Sequence, residues 1–219
     1  MSEPPLLPVA PCTVIGLVAA TTSAEAALDA TSEVLVAMGA RPLDPDGRAH
    51  SRAFLTRDTG VVLASSHADA ADPRFVLIEI QITGEFPGAS DRMPLSEELE
   101  TESQRTRAFV ARAFAVACER LAPLYAGLGV KWTLPLPSKL HTACLPFDLF
   151  HSARLDAVDP RLAQDLGALL GAKQMTFAGG TLIAAGGLLD ADAASLDQSF
   201  ALGQAAAQRL ARALAVLYP

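Results

Sequence analysis

The chain has 219 residues, 51% of them hydrophobic and 19% charged, so it is long enough to bury a substantial core and too apolar to be disordered throughout. Its formal net charge is −7 and its 17 basic residues are scattered, which argues against a phosphate backbone as ligand, so no nucleic acid is expected among its partners. No apolar run approaches the roughly 18 residues of a membrane span, and Cys12, Cys118 and Cys144 form no disulfide framework, so the expectation is a soluble, cytoplasmic protein.

The opening stretch MSEPPLLPVAPCTVIGLVAATTSA imitates a secretory leader, with an apolar run before small residues. It lacks the positive charge of a leader, since no Lys or Arg precedes Arg41, and Pro4, Pro5, Pro8 and Pro11 break the helix a leader needs. Within it, CTVIGLVAA reads as a buried strand. Thr22 and Glu25 have the spacing of a capping box, and Leu28, Leu35 and Met38 share a face, which predicts a helix from about Ser23 to Met38, stopped by Gly39. RAFLTRDTGVVLAS predicts a hairpin turning at Asp58, Thr59 and Gly60. In RFVLIEIQITG, Val76, Ile78, Ile80 and Ile82 alternate with Leu77, Glu79, Gln81 and Thr83, so this strand has one buried face and one partly polar face.

After the loop GEFPGASDRMP, helical spacing of Phe109, Val110, Ala113, Phe114, Ala117 and Leu121 predicts a long helix ended by Pro123. LGVKWTL reads as a strand, PLPSKLHTACLP as an extended loop and FDLFHSA as a further strand. In DPRLAQDLGALLG, Asp159 has the position of a cap and Pro160 that of a first helical residue. KQMTFAGGTLIAAGG predicts a second hairpin, turned at Gly179 and Gly180, and a last helix covers roughly Leu196 to Leu217.

Hairpins followed by long helices imply a single α+β domain over residues 1–219, with an antiparallel sheet rather than a doubly wound parallel one. VLVAMGARPL and LGALLGAKQM each close a helix with Gly-Ala-basic and lead towards a hairpin, which suggests a loose duplication with pseudo-halves at 10–123 and 124–219.

The tightest cluster of reactive side chains is in KLHTACLPFDLFHSARLD, with His141, Cys144, Asp148 and His151. Their types suit a zinc site, but the spacing matches no ligand pattern, and in a strand Asp148 and His151 face opposite ways. No helix start or basic cluster activates Cys144 as a nucleophile. The expectation is therefore no metal, no cofactor and no catalytic thiol, with Cys144 and Phe147 to Phe150 as packing residues and His141 and His151 hydrogen-bonded. Phosphate-loop, nucleophile-elbow, zinc-protease and dinucleotide motifs are missing, and Asp190 and Asp192 read as caps of the last helix.

The strongest charge feature is SEELETE, where Glu97, Glu98, Glu100 and Glu102 begin a helix. Glu98 and Glu102 are like charges four apart, which disfavours the helix slightly, so the acidic run suggests a surface for a basic partner, joined by Glu79 and Glu85. A small acidic α+β chain without recognisable chemistry resembles, in character, the immunity proteins that neutralise bacterial toxins by covering a basic active site. That resemblance implies a non-catalytic protein whose acidic surface speeds association. Two other classes stay open: an enzyme or small-molecule binder with a pocket around Trp132, His141, Cys144 and His151, and a homo-oligomeric structural subunit.

Overall fold

The computed structural model describes residues 12–21, 23–43, 50–83, 97–130, 134–145, 148–184 and 196–219. In chain order the elements are β1 (Cys12–Ala20), α1 (Ala24–Ala37), β2 (Arg41–Pro42), β3 (Ser51–Thr56), β4 (Gly60–Ala68), β5 (Phe75–Thr83), α2 (Glu97–Leu121) and β6 (Tyr125–Val130). A 3-10 turn at Pro137–Lys139 precedes β7 (Asp148–Ser152), α3 (Ala153–Val158), α4 (Leu162–Leu170), β8 (Lys173–Phe177), β9 (Gly180–Ala184) and α5 (Leu196–Leu217). The fold is α+β: among the described residues nine strands form one antiparallel sheet in the order β2-β3-β4-β5-β1-β6-β7-β9-β8.

Strand alternation divides the core into two layers. Ile15 and Leu17 of β1 and Ile78 and Ile80 of β5 point to a first face, where they meet Leu28 and Leu35 of α1 and Phe109, Phe114 and Ala117 of α2. Val18, Leu77, Tyr125, Leu149 and Ile183 point to the second face and pack with Leu155, Leu166, Leu210 and Leu214 of α3, α4 and α5. Among the described residues no helix is long and apolar enough to cross a membrane.

Several local expectations shift by a residue or two for identifiable reasons. The cap of α1 is Ser23, whose hydroxyl accepts from the Ala26 N–H at 3.1 Å, and Thr22 of the expected capping box lies outside the described residues. Asp159 does not cap α4. It closes the short helix α3, which the sequence reading did not anticipate, and its carboxylate pairs with Arg209; α4 starts at Leu162, beyond Pro160. The second hairpin turns at Ala178 and Gly179, with φ of 45° and 77°, the left-handed pair that a two-residue antiparallel turn requires. Both Gly-Ala-basic segments behave alike: Gly39 and Gly171 have φ of 89° and 63°, and each releases a helix into a strand, β2 at one edge of the sheet and β8 at the other.

The segment 134–145 lies across the second face. Gly16 permits this, because a Cβ there would meet Leu134 Cβ at 2.5 Å. The buried Asp69 carboxylate anchors the segment by accepting from the Ser138 N–H at 3.2 Å and the Ser138 hydroxyl at 2.9 Å, and the Tyr125 hydroxyl donates to the Pro135 carbonyl at 2.6 Å.

Candidate functional site

The His141, Cys144, Asp148 and His151 cluster does not converge. His141 is exposed and Cys144 half-buried, on the segment before β7, where Cys144 Cβ lies 3.5 Å from the place a Cβ on Gly203 of α5 would take. Asp148 and His151 are both buried on β7 but on opposite faces. Asp148 is in register with Leu128 beside Phe150 of the first-face core, and His151 with Tyr125 on the second face. Among the described residues no group of three or more His, Cys, Asp or Glu side chains is placed to hold a metal ion. Trp132 and Phe147 lie outside the described residues.

His151 corrects one expectation. Neither ring nitrogen makes a hydrogen bond, and Nδ1 lies 3.5 Å from Asp156 Oδ1 on α3, whose other carboxylate oxygen accepts from the Thr181 hydroxyl at 3.1 Å. Burial holds the imidazole below its ordinary pKa, and the Asp156 charge and the neighbouring Ser152 backbone oppose that shift more weakly. A fully buried ring with no solvent access suits a neutral packing residue, not a proton shuttle.

Glu97 opens α2 and Glu98, Glu100 and Glu102 follow along it, but their side chains, like all of Glu85, lie outside the described residues. Glu79 is not on an open acidic surface: it is 6% exposed, at the middle of β5. The physical reason is its place in the sheet. Its register partner on β1 is Gly16, and Leu134 fills the space above that glycine, so the covering segment runs beside the carboxylate. Glu79 Oε1 is buried without a hydrogen-bond partner, and Oε2 is 3.8 Å from Nε2 of His67 on β4. An unpaired buried carboxylate oxygen is costly, so its persistence calls for a reason.

Beside Glu79 the second face is open. Register places Ser65 opposite Glu79, Leu63 opposite Gln81 and Ala53, and Val61 opposite Leu55, all on one side of β3, β4 and β5. Leu55, Val61 and Leu63 are 37%, 38% and 38% exposed, Ser65 and Gln81 are half-buried, and no β3 or β4 residue joins the α3–α5 core. The opposite side of the same strands carries Phe54, Val62 and Ala64 under α1 and α2, at 1% exposure or less. The sequence reading missed this patch. The available signal was that β4 has large apolar residues on both faces, Val61 and Leu63 as well as Val62, although one layer of helices covers only one face.

In comparisons with known proteins, the chain matches no family model and no curated protein.

Proposed function

We propose that the protein is non-catalytic and acts by binding a basic protein partner through the open face of β3, β4 and β5, as an immunity protein covers a toxin. The observation that carries this reading is the juxtaposition on one sheet face of exposed Leu55, Val61 and Leu63 with the buried, unsatisfied carboxylate of Glu79. Contiguous exposed apolar side chains rimmed by polar groups mark surfaces at which proteins meet partners. The net charge of −7 favours a basic partner, and the glutamates from Glu97 to Glu102 add to the attracting field. Among the described residues Asp148 and His151 lie on opposite faces of β7, and no group of His, Cys, Asp and Glu side chains is placed to hold a metal ion.

The test is differential capture by the wild-type chain and by a Leu63→Lys variant. Leu63 is 38% exposed, so the new lysine stays solvated and the fold is retained, while a basic partner meets a like charge. The expected result is a basic protein retained by the wild type in a salt-dependent manner and lost from the variant. Identical capture by both chains would refute the reading.

A further inference from the structure

We infer that Glu79 and its neighbours form a receptor for an arginine side chain, which deepens the partner-binding reading and rests on it by naming the group the open face selects. Three acceptors lie together on this part of the face. The Glu79 carboxylate has one oxygen without a hydrogen-bond partner, Ser65 stands directly across from it on β4, and Gln81 follows two residues along β5 on the same face. Leu63, in register with Gln81, offers an apolar surface beside them.

This combination fits a guanidinium better than an ammonium. A guanidinium is planar and weakly hydrated, it presents five N–H donors in a fixed fork, and it lies flat on apolar surface while its edge bonds to a carboxylate and neighbouring oxygens. An ammonium needs a more fully polar cage to replace its water. His67 is the nearest nitrogen-bearing side chain on this face, and it is no hydrogen-bonded partner: its Nε2 is 3.8 Å from Glu79 Oε2 and its side chain is 54% exposed. The one Lys or Arg on these strands is directed elsewhere: Arg52 on β3 pairs with Asp29 and Ser32 of α1 on the first face.

The experiment uses the full-length chain, carbon-13 labelled at its leucine and valine methyl groups and followed by NMR during titration with N-acetyl-arginine methylamide or its lysine counterpart. The arginine probe should shift the Leu63 and Leu55 methyl signals saturably, and the lysine probe should bind several-fold more weakly. Glu79→Gln should weaken the arginine probe by about tenfold or more, the scale of a lost charged hydrogen bond. Glu25→Gln on α1, remote from this face, should leave it unchanged. If Glu79→Gln does not fold, Ser65→Ala and Gln81→Ala decide, and each should weaken the probe. No saturable shift, equal affinity for the lysine probe, or undiminished binding by the folded variants would overturn the inference.

Failure here is separable from failure of the partner reading. A basic protein lost by Leu63→Lys but retained by Glu79→Gln would refute the arginine receptor and leave the interface standing. Capture unaltered by Leu63→Lys would remove the interface, and the arginine titration would then overturn or support the receptor by itself.

Discussion

Replacing Glu79 by methionine is expected to stabilise the fold while weakening partner binding. Methionine has nearly the same length and volume and no charge, so the substitution removes a buried oxygen that has no donor without opening a cavity. An unsatisfied buried polar group costs about 1–3 kcal/mol. Against this, the contact with exposed His67 at 3.8 Å is worth at most about 1 kcal/mol. The net expectation is a gain of at most about 3 kcal/mol, or a rise of up to about 12 °C in Tm for a chain of this size. Urea unfolding followed by circular dichroism should show a higher midpoint and an unchanged slope, so that the gain is one of stability and not of denatured-state compactness. A variant less stable than the wild type would show that the carboxylate serves the fold, and the argument that it is held in reserve for a ligand would fail. A gain in stability paired with a loss of binding is the expected mark of a functional residue.

The remaining predictions concern the scaffold. His151 has a folded-state pKa lowered from an ordinary value of 6.5, so below that value the unfolded chain takes up the proton first and stability falls with pH; His151→Phe should flatten this part of the stability profile measured between pH 7 and 5. Asp159, held below the ordinary carboxylate value by Arg209, contributes stability above the unfolded value of 3.8 that is lost as pH falls through its folded value, a separate window that Asp159→Asn should erase. Asp69→Ala leaves the Ser138 N–H and hydroxyl without their acceptor and should cost about 2–4 kcal/mol, with faster hydrogen exchange at the Ser138 amide. Reversing Glu98, Glu100 and Glu102 to lysine should slow association with a basic partner at low salt and leave the fold intact, as stopped-flow and circular dichroism would show.

Legibility in the sequence followed the range of the interactions concerned. The alternation from Val76 to Ile82 is a property of one strand, and β5 lies where that pattern puts it. The helical spacing from Phe109 to Leu121 and the stop at Pro123 are equally local, and α2 ends at Leu121. The six residues of α3 are too few for a periodic signal, and Asp159, which reads as a cap, instead answers Arg209 some fifty residues later. Glu79 alternates with isoleucines and so reads as a solvent-facing position. Its burial depends on Gly16 and Leu134, which pairing with β1 and the crossing of the 134–145 segment bring to it. The open patch is a statement about where helices are not placed, and strand order decides that: β3 and β4 lie at the far side of β1 and β5 from the α3–α5 layer.

The central claim is that the face bearing Leu63 meets a basic protein, and site-specific photo-crosslinking in the native cell tests it most directly. A photoreactive residue at position 63 should yield one discrete adduct with a basic protein, whereas the same residue in place of Val216, 65% exposed on α5, should yield none. Adducts that are identical from both positions, or an adduct only with a second copy of the chain, would contradict the account.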